Sequence, residues 1–192
     1  NKIQNSRTKR LVKMVVSKEN LDDVEQYFRF AMSMNCVPEF AFIYHSGNAT
    51  DGWENKKLTA QQKLKVLKTI SRLNEEYSIN AYIPLCTGMC PYAHTLNRMS
   101  LCIKSNGNIQ PCQMLYTDDY MIGNAFHFDP MMLEMKLRRI VSIAQQRVQI
   151  DYGCSRCLLR ESCGRGCMAT SVNLYGNPLS NDGDCEFRKL QF

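Results

Sequence analysis

No apolar run in the sequence approaches the ~20 residues that a membrane-spanning helix needs. The opening stretch, Asn1 to Arg10, is polar and basic without an apolar segment, so it does not read as a secretory leader. No internal repeat and no low-complexity tract is present. Charge of one sign is scarce too: 24 basic against 18 acidic residues leave a net charge of +6. The basic residues are scattered, at Lys9, Arg10, Lys56, Lys57, Arg138 and Arg139 for example. No aromatic-rich basic stripe accompanies them, so a nucleic-acid partner is not expected. What is present is apolar matter, 44% of 192 residues, enough to bury the core of one ordinary domain or two small ones.

Ten cysteines are the outlying number. Such a count has three readings: disulfides, zinc or iron–sulfur. Eleven methionines, no leader and only one weak glycosylation triplet, Asn48-Ala49-Thr50, favour a reducing, cytoplasmic interior over disulfides.

Up to Leu85 the chain alternates strand and helix signals. Leu11 to Val16 reads as a buried strand. Asn20 is placed to cap a helix whose apolar positions are Leu21, Val24, Phe28 and Ala31. Phe40 to Tyr44 is a second strand, and a loop with Gly47 and Gly52 runs from His45 to Lys57. Thr59 and Gln62 form a capping-box pattern ahead of a helical face of Leu64, Leu67, Ile70, Leu73 and Tyr77. Ile79 to Leu85 reads as a third strand. Strand–helix–strand–helix–strand implies a parallel sheet, hence an α/β start to the chain. Three such strands cannot close a barrel and leave edges unpaired. The segment therefore reads as the last part of a partial (β/α) barrel, with a small free-standing sheet as the alternative.

After Leu85 the texture turns to α+β. Met99 to Ser105 and Ile109 to Met114 flank Asn106-Gly107-Asn108, a hairpin signal. Pro130 opens a helix with Leu133, Leu137, Ile140, Val141, Ala144 and Val148 on one face. Met131, Met132 and Met135 read as core packing. From Gly153 on, periodicity fades while five cysteines and five glycines accumulate. Such a segment has little apolar surface with which to order itself, so metal ligation is expected to take that part.

Cys154, Cys157, Cys163 and Cys167 are spaced C-x2-C-x5-C-x3-C, and Cys185 follows after a longer gap. A C-x2-C turn brings two thiolates to one centre, and Gly164 and Gly166 permit unusual backbone angles between the later pair. Spacing alone does not separate iron from zinc. Cys112 closes Gly107-Asn108-Ile109-Gln110-Pro111-Cys112, and Cys86, Cys90 and Cys102 precede it. Cys36 and Cys102 read as packed thiols.

From about residue 86 to 187 this pattern resembles the SPASM domain of radical S-adenosylmethionine (SAM) enzymes. Gly107-x4-Cys112, the Gly123-Asn124 step and the C-terminal cysteine run carry the resemblance. The part of the chain up to Leu85 is similar in layout to the end of the radical SAM barrel. The resemblance implies two domains, 1–85 and 86–192, and two auxiliary [4Fe–4S] clusters. It implies that Cys154, Cys157, Cys163 and Cys185 hold the second cluster. It implies that Cys167 turns back to join Cys112 in the first, with Cys90 and Cys86 as the upstream ligands. It also implies a peptide or protein substrate and work in electron transfer or substrate binding. A zinc-stabilised binding module without redox work is the alternative.

Two departures narrow the reading. The C-x3-C-x2-C loop of a SAM-binding cluster begins at Cys86 and Cys90, but Ala93 stands at its third position. This chain alone is therefore expected not to cleave SAM, and the radical-generating half is expected to lie elsewhere. Gln113 stands where sulfatase maturases of the family carry a basic aspartate, and an amide accepts no proton at neutral pH. Asp118 and Asp119 read as solvated loop acids. His45, His94 and His127 read as structural or polar loop residues rather than ligands.

Overall fold

The computed structural model describes residues 9–84, 88–93, 100–115, 117–151 and 153–191. It is a mixed helix and strand structure with two small sheets. The chain divides into two compact units: Asn1–Cys86 with Glu186–Phe192, and Thr87–Cys185.

The first unit is built on two parallel strands, β1 (Leu11–Val16) and β2 (Val37–Phe42), in register from Leu11 opposite Val37 to Val16 opposite Phe42. Helix α1 (Val24–Ser33) joins them. Asn20 does not cap it. Its Oδ1 accepts from the Ser17 N–H at 2.8 Å and its Nδ2 donates to the Val15 carbonyl at 3.0 Å, which closes the strand exit instead. The stretch read as a loop holds a 3-10 turn (Gly47–Thr50) and a short helix α2 (Trp53–Lys56). Helix α3 (Ala60–Tyr77) starts at the expected capping box, with Gln62 N–H donating to Thr59 Oγ1 and Thr59 N–H to Gln62 Oε1. Its buried face is Val66, Leu67, Ile70 and Leu73, while Leu64 is only half-buried.

Among the described residues, which stop short of Leu85, the expected third strand does not form. Only a single parallel bridge, Glu39 to Tyr82, pairs there among the described residues. Asn74 gives the reason: its side chain donates to the Ala81 carbonyl at 3.1 Å and accepts from the Ala81 N–H at 3.0 Å. Main-chain groups that would extend a ladder are thus already engaged. The core gathers Val16, Val24, Phe28, Phe40, Phe42, Ile70 and Leu73, and Phe187 from the chain end joins it. Burying each such side chain contributes roughly 1.5–3 kcal/mol.

In the second unit β3 (Cys102–Ile103), β4 (Asn108–Gln110) and β5 (Gly123–Asn124) form an antiparallel sheet. The β3–β4 turn is longer than a tight Asn-Gly turn. Lys104 N–H donates to the Asn108 carbonyl, Gly107 N–H donates to that of Lys104, and Gly107 takes φ +82°. Asn124 clamps it, donating to Asn108 Oδ1 at 2.9 Å and accepting from Phe126 N–H at 2.9 Å.

Helix α4 (Pro130–Gln149) begins with Pro130 in its first turn, and Asp129 Oδ1 accepts from the Met132 N–H. Its inward positions Ile140 and Ala144 lie in a core with Tyr92, Ile109, Leu115, Ile122, Met168 and Ala169. Met131, Met132 and Met135 are exposed at 81%, 43% and 59%, not core as expected, because the helix buries its far end instead. The tail beyond Gly153 holds more regular structure than its fading periodicity suggests. It forms α5 (Arg160–Cys163), α6 (Met168–Tyr175) and α7 (Cys185–Lys189), and α6 buries Met168, Ala169, Thr170 and Ser171. Apolar contact and one buried arginine, Arg147, order part of it.

Candidate metal centre

Three cysteines from separate stretches line one cavity of about 300 Å³: Cys90, Cys112 and Cys167. Its other walls include Met89, Met114, Leu115 and Met168, a largely apolar surround. Each cysteine is held by local structure. Cys90 precedes the 3-10 turn Pro91–Ala93, whose Ala93 N–H donates to the Cys90 carbonyl at 2.8 Å. Buried Tyr92 then reaches across, its hydroxyl donating to the Pro111 carbonyl at 2.5 Å. That bond sets the Cys90 turn against the residue before Cys112. Cys112 opens a tight turn closed by the Leu115 N–H, and Asn173 of α6 donates to the Met114 carbonyl at 3.2 Å. Cys167 precedes α6, and its N–H donates to Asp182 Oδ2 at 2.9 Å.

The thiols sense one another. Burial raises Cys90 above the ordinary thiol value, and Cys167 and Cys112 push it the same way. Burial likewise raises Cys112, with smaller pushes from Cys167 and Cys102. Main-chain hydrogen bonds oppose both shifts, from Tyr92 and Met168 at Cys90 and from Met114 and Leu115 at Cys112. Hydrogen bonding that favours the thiolate is what a thiolate-bound metal uses. Burial, Cys112 and Cys90 together raise the Tyr92 phenol, so it stays a neutral donor.

Cys154, Cys157 and Cys163 lie on one run of turns. Cys157 N–H donates to the Cys154 carbonyl at 3.0 Å, and Cys163 N–H to that of Leu159 at 2.7 Å. Cys185 is exposed at the start of α7. Cys86 and His94 lie outside the described residues. Cys36 and Cys102 are half-buried rather than core, and no described cysteine is in a disulfide. Among the described residues no group of three or more His, Cys, Asp or Glu side chains has the arrangement that holds a metal ion. Lining one volume and converging on one point are different conditions, and the trio meets the first. Its soft donors, apolar walls and main-chain donors fit a thiolate-held metal centre as part of its ligand set.

No protein-family model matches the chain, and no curated protein matches it either. Its site is therefore read from its own residues. Gln113, Asp118, Asp119 and His127 are exposed. His45 sits in the first unit, edge-on to Trp53 with centroids 5.3 Å apart. Sequence reasoning missed Tyr92, Asp182 and Arg147. Arg147 had a signal: a charged residue at helical spacing from Ile140 and Ala144, inside an apolar face.

Proposed function

We propose that residues 87–185 hold a thiolate-bound metal centre, and that the chain is the auxiliary-cluster part of a radical SAM enzyme acting on a peptide or protein. One observation carries the reading: Cys90, Cys112 and Cys167, widely separated in sequence, line a single apolar cavity. In this reading Cys167 joins Cys112 and Cys90, and Cys154, Cys157, Cys163 and Cys185 make a second set. The clusters supply one-electron chemistry when bound, with potentials tuned by burial and hydrogen bonds to sulfur. The residues of this chain present the sulfurs, exclude water with Met89, Met114, Leu115 and Met168, and donate main-chain hydrogen bonds. The first unit, with its parallel β1–α1–β2–α3 order, is proposed as the end of the partial barrel. No C-x3-C-x2-C run occurs in the sequence, so the radical-generating step belongs to another segment or chain.

The test is iron, zinc and acid-labile sulfide analysis of protein purified without oxygen. Iron with equal sulfide is expected, and Cys167→Ser should remove one centre's share of both. Stoichiometric zinc without sulfide would make the chain a zinc-stabilised module. Neither metal bound would end the proposal.

A further inference from the structure

Arg147 lies on the inward face of α4 and none of it reaches solvent. A guanidinium keeps its charge when buried, so the surroundings must offset its desolvation. Nη2 donates to the carbonyls of Arg165 at 2.9 Å and Gly166 at 3.3 Å, the two residues that lead into Cys167. Nη1 donates to the Ser180 carbonyl at 2.7 Å, the Ser171 hydroxyl at 3.0 Å and the Pro178 carbonyl. These acceptors are all neutral, and the Nε–H has no partner among the described residues. Burial pushes the guanidinium below its ordinary value; Arg165 adds to that shift, while Cys90, Asp182 and Cys167 oppose it. Asp182 already accepts from the N–H groups of Cys167 and Asp184.

We infer that Arg147 is the positioning residue of the three-cysteine cavity: its fork fixes the turn that delivers Cys167. The inference rests on the metal reading above. Arg165 and Gly166 both carry positive φ, +65° and +75°, so the chain enters Cys167 through a turn that needs holding from outside. Arg147 holds it from α4 and at the same time grips the 178–180 loop that leads to Asp182. Cys167 is thus fixed on one side by the guanidinium and on the other by the carboxylate.

The test uses the full chain, prepared metal-free under argon and titrated with Co²⁺. The part of the sulfur-to-cobalt absorption that Cys112→Ser abolishes reports the cavity, and limited proteolysis after Gly153 reports the fold. Arg147→Met should weaken Co²⁺ binding at the cavity by about 10- to 100-fold, as loss of a residue supporting metal ligands does. Arg147→Lys, which keeps a hydrogen-bond donor but not the fork, should fall between Met and wild type. Cavity affinity and spectrum unchanged in Arg147→Met would overturn the inference and leave the metal reading standing. A tail cleaved in both variants would make Arg147 a purely structural residue and overturn it as well. If wild type shows no sulfur-to-cobalt absorption, the metal reading itself fails first.

Discussion

Cys102 stands opposite Gln110 in the hairpin ladder and within electrostatic reach of Cys112, yet it does not line the cavity. Among the described residues the cavity's lining holds three cysteines, and the family resemblance implies Cys86 as a further ligand. Cys86→Ser is therefore expected to lower metal content at the cavity, while Cys102→Ser leaves it unchanged; metal analysis of the two variants separates them. Gly107 is a second single-residue test. Its φ is +82°, and a Cβ there would sit 2.5 Å from the Phe126 ring and 3.0 Å from Asn124 Oδ1. Gly107→Ala should destabilise the hairpin by about 1–2 kcal/mol from the backbone alone, read as a lowered melting temperature. At this scale the cysteines were legible because ligand chemistry shows in spacing. Arg147 was legible only as a charge inside an apolar helix face; that it grips carbonyls 18 to 33 residues away shows only in the packed structure.

Helices α1 and α3 are fastened by a lattice of charges. Arg29 pairs with Glu25 at 2.8 Å and Glu76 at 2.5 Å, and Arg72 pairs with Glu25 at 2.5 Å and Glu76 at 3.4 Å. Hydrogen bonds from Arg29 hold both carboxyls below the ordinary value of 4.5, and Arg72 adds to the effect. A carboxyl whose folded pKa is lowered adds stability above its unfolded pKa and loses it as pH falls through the lower folded value. The first unit should therefore weaken as pH drops below 4.5, less so in Glu25→Gln. The urea midpoint of helix loss, followed against pH, reads this out. Because the pairs are exposed, ~1 M salt, with its ~3 Å screening length, should flatten the dependence. The elements themselves were legible where periodicity or a cap decided them, as at Leu11–Val16 and Thr59–Gln62. They were not legible where a distant side chain intervened. The apolar run after Ile79 looks like a strand, but the grip of Asn74 on Ala81 leaves it a single bridge.

The chain does not end in the unit that holds most of its cysteines. Residues Thr87–Cys185 form one unit, and Glu186–Phe192 belong to the other, so Cys185 is the last residue of its unit. Phe187 anchors the segment that follows. It is buried edge-on to Phe42, centroids 5.6 Å apart, and the Lys63 ammonium lies 5.4 Å above its ring. Truncating such a ring leaves a cavity, so Phe187→Ala should destabilise the first unit by about 3–5 kcal/mol. The proposed ligand sets then give different consequences for metal. If Cys185 completes the set of Cys154, Cys157 and Cys163, loosening the residues just after it removes order from one ligand of that set only. Cys90, Cys112 and Cys167 are held through bonds made by Tyr92, Asp182 and Arg147. Cys185→Ala should then cost the second centre and spare the first, and Phe187→Ala should weaken the second centre in the same direction by a smaller factor. Metal and sulfide content of the two variants, with Cys112→Ser as the reciprocal control, decides it. If neither Cys185→Ala nor Cys112→Ser changes the metal content, the four-cysteine run from Cys154 to Cys167 is one local site, and Cys112 and Cys185 are free.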